Sequence, residues 1–398
     1  MERRDVDIFI SGGGIAGLVA AATFGNLGLS VIIADPAPPP KSATSEGSDL
    51  RSTAFLGPAK ILLDDIGLWP SLAAHATPLK TLRVINSQGN PPTTRTERAF
   101  QSTDLGAPAF GWNLQNWLTR NLLTEQIKAA ENVDLRLGTG FRALLTRERE
   151  AIVTLSDNTQ VRARLAIAAD GHQSPLRQAV NIPVKTTRYG QKALAFVVAH
   201  DAPHDNISTE LYLSGGAFTL VPLGDHTGHP ASAVVWMNDG PDAAHLMKFG
   251  DDDFNAAATQ RSCEVLGGLR LISPRRMWPV VTQRADCLTA ERTALIAEAA
   301  HVLPPIGAQG LNTSLSDIAA LRDLASDRPQ DIGTPGFLAE YARRRERDIR
   351  LRARAIDLYN RVCRSDDPPV QSLRSLGLRL AHDIAPLRRG IMRAGLGG

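Results

Sequence analysis

Apolar residues in the N-terminal part of the chain come in short unbroken runs separated by helical spacing. Val6, Ile8, Phe9 and Ile10 read as a strand covered on both faces, residues 18–27 as a helix of small residues, and Val31-Ile32-Ile33-Ala34 as a second covered strand that stops at Asp35. Residues 36–48, rich in Pro and Ser, have no apolar period and read as a loop. The spacing of Ile61, Leu62, Ile66 and Leu68 predicts a helix over 58–68, and a longer one follows over 114–129. Residues 133–137 and 151–155 alternate as strands, Asp157-Asn158 turns the chain into 160–163, and Leu165 to Ala169 forms another covered strand that ends at Asp170-Gly171.

From 189 to 279 the texture changes to alternating segments, 193–200, 210–213, 217–221 and 231–237, which predict an antiparallel sheet layered on the first domain. The strand Thr293-Ala294-Leu295-Ile296 then returns to the first texture. The expected fold is therefore α/β: a Rossmann-type domain made of 1–187 and 280–335, with small excursions near 75–110, an inserted β-rich domain over 188–279, and a helical region over 336–398. In that tail Leu338, Tyr341, Ile349, Ile356, Tyr359 and Val362 recur at helical intervals, as do Leu373, Leu376, Leu380, Ile384, Leu387 and Ile391, so two amphipathic helices are predicted.

Composition narrows the class. With 398 residues, 43% hydrophobic and 21% charged, the chain can bury a large core and suits two connected domains. No apolar run approaches the roughly eighteen residues of a membrane span, and the chain enters its first strand without a signal segment, so a cytoplasmic protein is expected. Cys263, Cys287 and Cys363 lie too far apart for a disulfide framework or a metal site. The net charge is only +3, but residues 343–393 hold fourteen arginines against six carboxylates. No aromatic-basic interleaving accompanies them, which argues against nucleic acid. A basic amphipathic tail suits either a solvated helix face or a membrane surface or partner.

Two segments carry chemistry. Strand, glycines and helix stand in the order of a dinucleotide fingerprint: Gly12 for the tight turn, Gly14 for close approach of a pyrophosphate, Gly17 for helix–sheet packing, and Asp35 about twenty residues on as a ribose-hydroxyl acceptor. Almost three hundred residues later, Pro304-Pro305-Ile306-Gly307-Ala308-Gln309-Gly310-Leu311-Asn312 is a stiff turn followed by a helix, whose N-terminus exposes backbone N–H groups. Two distant segments converging on one long ligand point to FAD.

Four motifs in this order, the glycine motif, Asp49-Leu50-Arg51-Ser52-Thr53-Ala54, Ala169-Asp170-Gly171-His172-Gln173-Ser174-Pro175-Leu176-Arg177, and Ala300-His301 to Asn312 ending in Asp317, resemble the class A flavoprotein aromatic hydroxylases of the p-hydroxybenzoate hydroxylase fold. Within them the chain, through its tail, resembles the ubiquinone-biosynthesis hydroxylases. The resemblance covers nearly the full length. It implies that Arg51 meets the pyrophosphate, that Asp170 and Gly171 contact FAD, that Ser174 and Arg177 help in nicotinamide-cofactor use, and that Pro305, Gly307, Gln309, Gly310, Leu311 and Asn312 lie along the isoalloxazine. The flavin, reduced by NAD(P)H and loaded with O2 as a C4a-hydroperoxide, would hydroxylate the ring of a polyprenylphenol, and no catalytic side chain is assigned. Phe218, Val221, Pro222 and Trp236 are the expected apolar wall for that ring, and His301, among apolar neighbours, is expected to be structural. Other ubiquinone-biosynthesis proteins and a homo-oligomer are further partners the resemblance admits.

The chain departs from the family at one place. Ala297-Glu298 stands where the family has Gly-Asp for the FAD hydroxyls, so the Cβ of Ala297 and the longer Glu298 are expected to loosen the cofactor. This leaves room for a weakly catalytic member that acts as a structural partner; a hydroxylase of a soluble aromatic acid, from the same fold, is the other alternative.

Overall fold

In the computed structural model, residues 3–213, 215–365 and 367–396 are described; the side chains of Pro368 and of Leu373, one of the predicted apolar positions of the tail, lie outside that description. The first layer is a parallel sheet ordered Thr293–Leu295, Gln160–Ala168, Arg3–Ser11, Val31–Asp35, Val133–Leu137, with Glu150–Leu155 and Phe141–Arg147 added antiparallel and Thr289–Ala290 at one edge. Ile8, Phe9 and Ile10 are fully buried, as befits a central strand covered on both faces. Behind it packs the helix Ile15–Asn26, and Gly17 allows the contact: a Cβ there would strike the Gly12 carbonyl. The helix predicted over 58–68 is Gly57–Asp65, followed by a separate short one, Trp69–Ala73.

The second sheet runs His301–Val302, Arg276–Ala285, Val184–His200, His229–Asp239, Gly216–His226, Ile207–Leu213, Thr81–Gln88, Thr93–Gln101. Val184–His200 crosses position 187 and Arg276–Ala285 crosses 279, so the layers share strands at those points. The expectation of an antiparallel sheet needs one correction, because Ile207–Leu213 and Thr81–Gln88 pair in parallel. The reason is that Thr81–Gln88 arrives from the first domain by a long crossover rather than a hairpin.

The predicted pair of tail helices is three. Pro335–Arg364 starts on the first core, where Tyr341 is fully buried and donates its hydroxyl to Leu295 O (2.8 Å), and ends on the second sheet, where Asn360 bonds Gln191. Pro368–Asp383 and Ala385–Leu396 follow, broken at Ile384, whose backbone is extended, with Pro386 in the first turn of the last helix, where its missing N–H is tolerated. Ion pairs Arg98–Asp383 (3.0 Å) and Arg388–Asp104 (3.2 Å) fasten the last two helices over the strand Thr93–Gln101 and the turn beyond it.

Candidate active site

Between the layers lies a cavity of about 1420 Å³, larger than the roughly 300–1,000 Å³ that suits one small ligand. At one end its wall is backbone. Gly12, at φ +106°, presses against Ala169 O so closely that no Cβ would fit, whereas Gly14 and Gly310 face open space. Asp35 accepts from Gly13 N (2.6 Å) and Ala37 N (2.8 Å) and pairs with Arg120 (3.3 Å), which also donates to Gly13 O (2.8 Å). Arg120 was not singled out from sequence: it sits mid-helix in Asn116–Lys128, where an arginine reads as a solvated charge.

Arg51 lines the same end, but its fork is engaged by Asp49 (Nε to Oδ1 2.8 Å, Nη2 to Oδ2 2.8 Å) and lies over Trp278, with Nη1 4.0 Å from Glu298. Burial works against the Asp49 charge, yet Arg51 outweighs it and holds the carboxyl below the usual carboxylate range. Asp170 accepts from Ser11 Oγ (2.9 Å) and Leu176 N (3.2 Å); burial raises its pKa, and its Oδ1 is buried without a partner among the described residues. Gly171, Glu298, Pro305, Gly307, Gln309, Gly310 and Leu311 also line the cavity.

Two predicted residues act from behind the wall. Gly17 is a packing residue. Asn312 ties the late loop to the strand Ser52–Leu56, donating to Ala54 O (2.8 Å) and Ala308 O (2.7 Å) and accepting from Leu56 N (2.9 Å). Gln309 lines the cavity yet spends its amide on Gly307 O and Gly395 O (2.9 Å each), while Arg352 donates to its Oε1 (2.7 Å). His301 Nε2 meets Asp317 Oδ2 at 2.7 Å, and Asp317 Oδ1 takes Arg345 Nε at 2.8 Å. Burial opposes ionisation of Asp317, but His301 and Arg345 prevail and lower its pKa. His301 is thus locked in a fully buried network, although it also touches the cavity.

Ala297 adopts φ +54°, so the position costs more than the crowding anticipated from its Cβ: an L-residue in left-handed backbone is strained by roughly 1–2 kcal/mol. Glu298 beside it faces the cavity, half-exposed.

The ring wall requires a correction. Only Val221 of the four predicted residues lines the cavity. Phe218 and Trp236 pair across the sheet with ring centroids 5.3 Å apart and join Phe254 and Phe196 in a second core on the opposite face. Pro222 is buried and serves through its carbonyl, which accepts from Asn113 Nδ2 at 2.9 Å. Strand side chains alternate, so naming the bulky members of a strand selected the wrong face. The wall facing the cavity is Val84, Glu210, Tyr212, Thr219, Val221 and Val235, closed by Leu82, Phe100, Phe110, Leu378, Ile391 and Met392. The i, i+2 spacing of Glu210 and Tyr212 was the available signal, since it puts both on one face.

The geometry defines a flavoprotein: an open glycine face at a helix N-terminus, an unpartnered Asp170 oxygen and a second glycine-lined helix start enclose a site that fits FAD. Comparison with known proteins agrees. The "FAD binding domain" family description matches residues 5–351. The chain is 30% identical, over 98% of its length and 89% of the relative's, to "Ubiquinone hydroxylase UbiL" of Rhodospirillum rubrum. It is 24% identical, over the whole of both chains, to "3-demethoxyubiquinol 3-hydroxylase" of Escherichia coli. The crystal structure of p-nitrophenol 4-monooxygenase PnpA from Pseudomonas putida superposes with a TM-score of 0.81 at 18% identity, covering 100% of this chain and 99% of that one. The chain belongs to the FAD-binding domain family, and within it to the FAD-dependent monooxygenases.

Proposed function

We propose that this enzyme hydroxylates the aromatic ring of a polyprenylphenol on the route to ubiquinone, with O2 and with NAD(P)H as a transient electron donor. One observation carries the reading: the cavity continues from the FAD end past the sheet into an apolar stretch of Leu82, Val84, Phe100, Phe110, Leu378, Ile391 and Met392, room that a small aromatic acid would leave empty. Names of two relatives supply the pathway.

Bound FAD supplies the redox and oxygen-transfer chemistry. The residues of this chain would hold and shield it: Gly12, Gly14 and Asp35 at the dinucleotide end, Asp170 and Glu298 for its hydroxyls, and Pro305 to Leu311 for its ring. The sheet face and the last two helices exclude water around the substrate ring. The cavity's arginines are already engaged, Arg51 by Asp49, Arg120 by Asp35, and Arg374 by Asn86 Oδ1 (2.8 Å from Nε) and Cys363 O (2.8 Å), so among the described residues no carboxylate clamp stands open for an aromatic acid.

The tail suits peripheral attachment to an anionic membrane. Leu376, Leu380, Ile384 and Leu387 are exposed, with Arg379, Arg389 and Arg393 exposed among them, and a prenyl substrate would be met at that surface. Among the described residues no helix is long and apolar enough to cross a membrane. The same surface could receive other ubiquinone-biosynthesis proteins or a second copy of the chain.

The test is NADH and NADPH oxidation by the FAD-loaded enzyme with and without a short-chain prenylphenol, with product analysis. Acceleration together with a hydroxylated ring is expected. Acceleration by a hydroxybenzoate but not by the prenylphenol would overturn the reading.

A further inference from the structure

Glu210 stands at the centre of the cavity-facing side of the second sheet, in register with Val84 on one side and Thr219 on the other, and Thr219 pairs with Val235. A carboxyl in such a wall is costly, because burial without compensation penalises the charged form by several kcal/mol or forces it to neutralise. Burial does push the Glu210 pKa up, and the Tyr212 hydroxyl only partly counters it. That hydroxyl donates to Oε2 at 2.5 Å and itself accepts from Tyr359 at 3.0 Å. Tyr359, Cys363 and Arg374 also line the cavity here; the Cys363 thiol is pushed up to about 12 by burial, and Arg374 is turned to Asn86. No other hydrogen bond reaches the Glu210 carboxyl among the described residues, so Oε1 is left toward the cavity. The tyrosines fix the carboxyl in place and supply nothing to that second oxygen.

We propose that Glu210 is the specificity residue for the substrate's ring hydroxyl: Oε1 accepts the phenolic O–H, which turns the ring in the cavity and rejects rings that carry a carboxylate at that position. A phenol supplies one donor, whereas an aryl methyl ether of the same shape supplies none and an aromatic carboxylate would bring a second acceptor against the first. This inference rests on the prenylphenol reading above and adds the group that recognises the phenol.

The experiment titrates FAD-loaded enzyme with a geranylated phenol, its methyl ether and a geranylated benzoate, read by perturbation of the flavin absorption. Wild type is expected to bind the phenol about 10- to 100-fold more tightly than the ether, the cost of leaving one buried acceptor unpaired. In Glu210→Leu the phenol-to-ether ratio should fall to near one, with KM for the phenol rising more than kcat falls. A purely structural role would weaken both ligands together and keep the ratio. If Glu210→Leu does not retain FAD, Glu210→Met, which keeps the length without an acceptor, decides by the same ratio. A wild-type ratio in either FAD-retaining variant overturns the assignment of Glu210. Equal binding of phenol and ether by wild type also overturns it but leaves the prenylphenol reading standing, whereas wild type that binds only the benzoate overturns both.

Discussion

At the FAD end the cavity is shaped by backbone, through Gly12 against Ala169, open Gly14 and the late loop before Gln309–Asp327, whereas at the sheet end it is shaped by which side chains of five strands share a face. The first kind of wall is local: a contiguous motif brings its own turn, its own N–H groups and its own space. The second is collective, since Glu210, Thr219 and Val235 become neighbours only when three strands pair in one register. A single-residue slip would exchange that row for Leu211, Phe218 and Trp236. The backbone end therefore tolerates little at Gly12 and Gly17, and the sheet end separates residues that face the cavity from residues that only pack.

Gly17→Val should break the backbone end outright. The added carbons would collide with the Gly12 carbonyl, and the expected loss, upward of about 4–5 kcal/mol, would appear as insoluble or colourless protein. Soluble yellow protein would show that the glycine turn yields more than its packing suggests.

Asp317→Asn is next. It leaves buried Arg345 with one of its two ion-pair partners, Asp348, at about 3–5 kcal/mol, measured by denaturant unfolding. The sign of its pH dependence follows from the lowered folded pKa of Asp317. The stability this carboxylate contributes is complete above its ordinary value of 3.8 and is lost as pH falls from there through the folded pKa, so wild type should lose more stability than the variant below about pH 4.

Within the sheet the two faces should separate cleanly. Trp236→Ala should cost about 3–5 kcal/mol of stability and leave KM for a prenylphenol nearly unchanged at low temperature, because the ring lies in the second core. Val235→Ala, one residue away, should cost about 1–2 kcal/mol but shift KM for the prenylphenol. A KM effect confined to Trp236 would reverse the assignment of faces.

The smallest effect is a gain. Ala297→Gly should relieve the left-handed strain and stabilise the protein by up to about 1 kcal/mol, with slower loss of FAD on dilution, followed by flavin fluorescence.

The α/β class, the inserted sheet and the helical tail were legible in the sequence because they rest on period: unbroken runs for a parallel sheet, alternation for the second layer, and helical spacing with arginines for the tail. The FAD motifs were legible for a related reason, since each places its turn and glycines within a few consecutive residues. Tertiary structure decided the rest. It spent Arg51 on Asp49, put Asn312 behind the loop, brought Arg120 to Asp35, and broke the tail helix before Pro386. It also chose the face of the second sheet: bulk and apolarity are the same property in Trp236 buried in a core and in Val235 facing the cavity, and only the pairing of strands far apart in sequence tells them apart. Glu210 and Tyr359, 149 positions apart in the chain, are joined through Tyr212 by that pairing and by the docking of the long helix, which no local pattern encodes.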